Sequence, residues 1–387
     1  MKKTILLSIC IAFLMCGTFS IKAQDNIIKV ISPTYRSEIK GKTTIKFSAP
    51  GFTGIIVKSW KQGGTYGSDK TVASNVSVDA KGNGSFVFPA DSYPNGPITI
   101  RIIGKRDTTE DVCYLQLYNK GGVSWNKGLP ETPPQATGKA LLFADDFTSM
   151  SSISYGGIGA TYNCYKAGGD EYGDAICVAP SDPYDVYYQK DTYLRIRASY
   201  QPDIKDPRGW NRKYVTGMLT SERTDGTGVY AKYGYFECRM MAQRAIGSWP
   251  AFWFITQGSH VGGNRLSDEL DAIEGYGSWN VQDGYMVGKH EWGYGSDNKG
   301  AKITTTKIGG GGCPFDGFHT YGLKVTPDTL YYYYDNVLVW TSETTELAKV
   351  EPFYFMINNE LGGGWPVDLS RYNNAIDLWV DWVRVYQ

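Results

Sequence analysis

Four acids stand close together in Ser267-Asp268-Glu269-Leu270-Asp271-Ala272-Ile273-Glu274-Gly275-Tyr276-Gly277, and three of them, Glu269, Asp271 and Glu274, have the spacing of a catalytic cluster. On a strand alternate side chains share a face, so Glu269 and Asp271 point one way and Glu274 would point the other. One extra residue in a β-bulge returns Glu274 to their side, and bulges recur beside active sites. The gaps hold Leu270, Ala272 and Ile273. That pattern sets the opposite face in a core and leaves three carboxylates along a cleft. Like charges so close oppose full ionisation, which raises some of the pKa values. An acidic edge strand or a calcium site would use the same run. For chemistry the relevant reaction is retaining glycoside hydrolysis, with two carboxylates about 5–5.5 Å apart, one attacking the anomeric carbon and one protonating the leaving oxygen. The outer acids have Cα atoms at least ~13 Å apart along a strand, a gap that two inward-leaning Glu side chains close and two Asp do not. Both outer acids are Glu.

The elements that must hold this segment are strands. From Ala140 to Gln387 no stretch keeps a helical period, whereas Tyr193–Arg197, Gly234–Met240, Leu330–Tyr334 and Leu378–Tyr386 read as strands between Gly-rich turns. A domain of this size built that way is a large two-sheet sandwich of jelly-roll type. Residues 24–119 hold shorter alternating runs, such as Thr44-Ile45-Lys46-Phe47, separated by turns such as Gly82-Asn83-Gly84. They read as a small immunoglobulin-like β-sandwich. Trp60 and Tyr66 in it could bind sugar or simply pack. Residues 120–139, with Gly121-Gly122 and Pro133-Pro134, read as a semi-extended linker. The fold class is therefore all-β throughout.

With 39 basic and 39 acidic side chains, the chain has no net charge to steer it to nucleic acid or an anionic membrane. Its 29 Tyr and 11 Trp suit either sugar stacking or an aromatic β-sheet surface. Residues 1–23 combine a basic start, an apolar run and a small residue at Ala23, the pattern of a secretory signal too short to span a membrane. The chain is expected to be secreted or periplasmic, with lipid anchoring at Cys16 as the rival. Five cysteines follow, of which Cys164 and Cys177 are the likeliest disulfide; the alternative is that all five are buried small side chains.

The acid segment resembles the active-site strand of glycoside hydrolase family 16 in its bulged form Glu-x-Asp-x-x-Glu. Further landmarks follow that family's order: Tyr233–Arg239, Gly247-Ser248-Trp249-Pro250-Ala251-Phe252-Trp253, Phe318-His319-Thr320-Tyr321-Gly322-Leu323, Asn358 with Gly362–Pro366, and Val380–Tyr386. The resemblance covers nearly all of residues 140–387. It implies Glu269 as nucleophile, Glu274 as general acid/base and Asp271 as the helper that tunes the nucleophile's proton. It implies Trp249 and Trp253 as an aromatic floor for sugar rings. His290, Asn358, Trp365 and Arg239 are further candidate substrate contacts, although an ion pair fits Arg239 nearly as well. His319 reads as structural. The resemblance implies no cofactor for catalysis and a structural calcium at Asp381, for which a solvent-facing strand acid is the alternative. Glu360 departs from the family pattern, beside the expected cleft.

The expected partner is a β-linked polysaccharide, of β-1,3-glucan (laminarin) type or a red-algal galactan such as agar or porphyran. The expected reaction is endo-hydrolysis by double displacement. A lectin-like sugar-binding protein on the same sandwich would keep the tryptophans but need not keep both Glu269 and Glu274. A transglycosylase would keep all three acids.

Overall fold

The computed structural model describes residues 27–387 apart from 64–65, 125–130, 170–171, 258–265, 278–283, 295–297, 306–307 and 309–313. The signal-like segment, Cys313, His260 and the side chain of Tyr66 lie outside the described residues. The described chain is β-structure joined by turns and short 3-10 segments. No helix in it is long and apolar enough to cross a membrane.

Two sheets form the large sandwich. The first has eight strands, and its centre runs Phe353–Leu361, Ser248–Thr256, Ser267–Glu274 and Gly284–Trp292, all antiparallel. The second runs through Tyr193–Tyr200, Ala375–Tyr386, Tyr235–Ala242 and His319–Val325. Alternation decides what lies between them. Phe252, Phe254, Leu270 and Ile357 from the first sheet meet Ile196, Phe236, Cys238, Leu378 and Val380 from the second in one apolar core. Fully burying a side chain of this size contributes about 1.5–3 kcal/mol. The neighbours in sequence, Trp249, Trp253, Glu269 and Asp271, must then face the opposite way, into the cleft of the first sheet.

The first module is also a two-sheet sandwich, with three and five strands. It does not stand apart, as a linker-separated module would. The second sheet presents Tyr193, Met241, Trp379 and Trp382 on its outer face, and the first module covers them with Trp60 and Tyr118. Polar contacts tie the edges. Gln243 Nε2 donates to the Tyr114 carbonyl at 2.8 Å, and Arg36 Nη1 donates to the carbonyls of Tyr372 and Ala375 at 2.9 and 3.0 Å. Arg371 Nη2 meets Asp111 at 2.8 Å. Residues 134–136 of the linker form a 3-10 turn, and Ala136 is buried against Tyr235 and Tyr386. A face bearing this much aromatic surface loses free energy if left in water, which is the physical reason the modules dock.

Cys164 and Cys177 are not bonded to each other, correcting the expected disulfide. Cys164 follows the strand Tyr162–Asn163 of the first sheet, whereas Cys177 ends a strand of the second. Cys177 packs beside Met218 and Trp253 at the edge of the cleft, and Cys164 is buried.

Candidate active site

The acid strand pairs in register on both sides until Asp271, where the pairing slips: Ala251 lies opposite Glu274, Phe252 opposite Ile273, and Trp253 opposite Asp271. The same irregularity appears against Gly284–Trp292. Ala272 is the extra residue. It packs with Leu270 and Ile273 in the core, and Glu274 returns to the face of Glu269 and Asp271.

Each acid has its own surroundings. Glu274 Oε1 accepts the Trp249 indole N–H at 3.1 Å and the Tyr276 hydroxyl. Burial pushes its pKa up to about 7; the two donors pull against this and the charge of Glu269 adds to it. Glu269 Oε2 accepts the Trp292 indole N–H at 3.2 Å. Asp271 is 2% exposed, and burial, with the charges of Glu274 and Glu269, drives its pKa well above the carboxylate range. Its Oδ2 has no hydrogen-bond partner and lies 3.5 Å from His290 Nε2. The residue opposite Asp271 is Gly288, where a Cβ would stand 2.6 Å from Asp271 Oδ2, so only glycine leaves that carboxylate its space.

The aromatic wall is continuous. Trp249 packs on Trp365 and Tyr276 at centroid distances of 5.3 and 5.6 Å, and Tyr172 stands edge-on to Trp249 and Trp253. Trp253 is 6% exposed, and its indole N–H donates to Asn358 Oδ1 at 2.7 Å. Asn358 Nδ2 in turn donates to the Trp249 carbonyl at 3.4 Å, so Asn358 ties the two tryptophans together. Lys166 places its ammonium 5.7 Å over the Trp253 ring. Glu360 is buried beside this corner. It accepts the N–H groups of Ala175 and Leu361, both at 3.0 Å, and burial raises its pKa to about 8. It therefore supports the cleft wall from behind and does not face solvent.

Of the residues singled out from sequence, Glu269, Asp271, Glu274, Trp249, Trp253, His290, Asn358 and Trp365 converge here. Arg239 does not. It sits on the second sheet between Cys238 and Met240, both of which point into the core, so its own side chain points outward, with the guanidinium 5.0 Å over the Trp382 ring. Asp381 is on the same outer face. Burial raises its pKa to about 7, opposed by the charges of Arg239 and Arg384, while Asp146 adds to the rise. Its buried Oδ2 has no hydrogen-bond partner. Calcium takes six to eight oxygens, and two guanidinium groups beside this carboxylate do not fit that donor set. Among the described residues, the group of ligand atoms close enough for a metal is Glu269, Asp271 and His290, inside the cleft itself. His319 is buried between Asp335, 2.8 Å from Nδ1, and Asp316; burial lowers its pKa, but these carboxylates more than reverse that, to about 9. It is structural.

Sequence reasoning missed Trp292, Tyr276 and Tyr172 as parts of the site. Trp292 is legible only through pairing, because Ser267 lies opposite it and Glu269 opposite His290. Tyr276 had a signal: it stands two residues past Glu274, the spacing that brings side chains to one face of an extended chain.

Comparison with known proteins bears on the family and the fold. Residues 195–384 match the model for glycosyl hydrolases family 16. The chain is 29% identical over 211 residues to an endo-1,3-1,4-beta-glycanase of Rhizobium meliloti (strain 1021), covering 54% of this chain and 40% of that protein. It is 26% identical over 296 residues to a keratan-sulfate endo-1,4-beta-galactosidase of Sphingobacterium multivorum, covering 73% and 63% respectively. The chain thus spans less than two thirds of either relative. The laminarinase catalytic domain of Thermotoga maritima MSB8 superposes with a TM-score of 0.50 at 20% identity, over 64% of this chain and 98% of that domain, a likeness of fold.

Proposed function

The domain over residues 195–384 belongs to glycoside hydrolase family 16, and from that premise we propose that the chain is an exported, retaining endo-β-glycanase. The observation that carries this reading is the bulge at Ala272, which gathers three acids on one wall and gives each a different environment. With a pKa near 7, Glu274 still holds a proton at mildly acid pH. It donates that proton to the glycosidic oxygen as the C–O bond breaks. Glu269, oriented by Trp292, attacks the anomeric carbon and forms the glycosyl ester. Glu274, now a carboxylate, takes a proton from water, which opens the ester and restores the starting state. Burial and the charges of its neighbours raise the pKa of Asp271, which favours its protonated form and lessens the negative charge beside the proposed nucleophile.

The substrate we propose is a β-linked polysaccharide lying along the Trp249 and Trp365 wall. The endo-1,3-1,4-beta-glycanase among the relatives supports a β-1,3- or mixed-linkage glycan; the galactosidase, whose match covers more of this chain, supports a β-galactan. Reducing-end release from laminarin, mixed-linkage glucan, agarose, porphyran, carrageenan and keratan sulfate tests both. No release from any of them by a folded protein, together with binding, returns the reading to a lectin. The two carboxylates supply the acid, base and nucleophile, so activity is expected to persist in EDTA.

A further inference from the structure

On the side of the sandwich away from the acids, a small crevice of about 80 Å³ opens to solvent between the two modules. Its floor is the outer face of the second sheet, where Tyr188 lies opposite Arg195, Arg195 opposite Trp379, and Arg197 opposite Asp377. Its wall is the strand Thr109–Asn119 of the first module, which contributes Gln116.

Three features specify what would fill it. Two buried polar atoms in the lining lack a hydrogen-bond partner among the described residues: Nε of Arg195, a donor, and Oε1 of Gln116, an acceptor, in residues 6% and 1% exposed. A bare anion satisfies only the first; a hydroxyl is needed for the second. The lining is also cationic, with Arg36, Lys190, Arg195 and Arg197 against the single carboxylate of Asp377. The other partners of these cations are Asp185 and Glu38, whose side chains are 64% and 44% exposed. Such solvent-side pairs are weak and can exchange for a ligand's anionic group. Finally, the ring of Tyr188 is 48% exposed and held against the Arg195 guanidinium at 5.2 Å, a flat apolar surface at the rim. A flat apolar face, a hydroxyl donor and a negative charge occur together on an acidic sugar.

We propose that this junction binds an acidic saccharide unit, a sugar bearing a sulfate or a carboxylate, as a second carbohydrate site. A polymer held here and in the cleft at once gains affinity through effective concentration. The test is titration calorimetry on the full chain with a galactose-6-sulfate disaccharide, a hexuronate disaccharide, the matching neutral disaccharide and sodium sulfate alone. At least one acidic disaccharide is expected to bind, and Tyr188→Ala and Gln116→Leu are each expected to weaken it about fivefold or more. Both variants should cleave a short neutral oligosaccharide within about twofold of the wild-type rate, because the cleft is on the other sheet. Tyr188→Ala removes an exposed ring and should leave the melting temperature unchanged, so its effect does not depend on refolding. Binding of only the sulfated or only the uronate unit identifies which anion the site takes. Absence of binding by both, equal binding of the neutral disaccharide, sodium sulfate binding as tightly as the sugars, or an affinity that neither variant changes overturns the site.

Discussion

The cleft face of the first sheet and the outer face of the second both carry buried charged groups, arranged in opposite ways. On the outer face, Arg197 donates through Nε and Nη2 to Asp377 at 2.7 and 3.0 Å. Burial by itself would raise the pKa of Asp377, yet the guanidinium holds it below the ordinary value. On the cleft face, Asp271 is as deeply buried but has two carboxylates for neighbours and, among the described residues, a histidine at 3.5 Å in place of an Arg or Lys ion pair. Its pKa goes up instead. Burial is common to both; for these two acids, which unlike Asp381 have either a directly bonded guanidinium or two carboxylate neighbours, the neighbouring charge decides the outcome. A fold keeps an acid in its interior cheaply by giving it a cation, so an acid cluster left without one marks chemistry.

The largest effects should come from the cleft. Glu269→Ser is expected to lower hydrolysis of polysaccharide by on the order of 10⁴-fold or more with the fold and sugar binding kept. An α-glycosyl fluoride, which mimics the covalent intermediate, should still be transferred to an acceptor. Residual hydrolysis of ordinary polysaccharide near the wild-type rate would remove Glu269 as nucleophile. Glu274→Ala is expected to cost ~10²–10⁴-fold on the same substrate. Its first step should survive on an aryl glycoside with a good leaving group, and azide should rescue the second to give a β-glycosyl azide. A β-azide from the Glu269 variant instead would exchange the two assignments.

The outer face should show a loss of stability before a loss of chemistry. Residues 120–139 by composition predict a catalytic domain that folds unaided, but the cluster of Trp60, Tyr118, Tyr193, Met241, Trp379 and Trp382 is shared between modules. Removing residues 24–119 is expected to destabilise the remainder by several kcal/mol, at ~25 cal/mol per Å² of apolar surface exposed. Aggregation, or a melting point well below that of the full chain, would be the observation. A truncated protein that melts like the full chain would mean the docking is energetically neutral.

The same contrast explains what could be read from sequence. The bulge was legible because three acids separated by Leu270, Ala272 and Ile273 leave one arrangement that buries the apolar residues and frees the acids. The jelly roll was legible from strand after strand without a helical period. Arg239 was misplaced because alternation within Gly234–Met240 gives two faces without saying which one meets the core. Only the packing of Phe236, Cys238 and Met240 against the first sheet decides it. The docking of the first module was not legible either, since Trp379 and Trp382 look the same on a strand whether water or another domain covers them.

The smallest effect, and the one that most finely divides the two faces, is a shift in pH dependence. The Tyr276 hydroxyl donates to Glu274 Oε1 and so favours the carboxylate, lowering a pKa that burial has raised to about 7. Tyr276→Phe removes that donor but keeps the ring that packs on Trp249. The pKa of Glu274 should then rise further. Because the proposed acid works when protonated, the alkaline limb of kcat/KM should move to higher pH, by up to about one unit, since one unit corresponds to 1.36 kcal/mol. The acidic limb, which reports the group that must be ionised, should stay in place. The outer face offers the control: replacing Arg197 by Lys weakens a charge pair there and should leave both limbs unmoved while lowering the melting temperature. If Tyr276→Phe instead moves the acidic limb, Glu274 is the residue that must be ionised, and the division of labour between the two glutamates reverses.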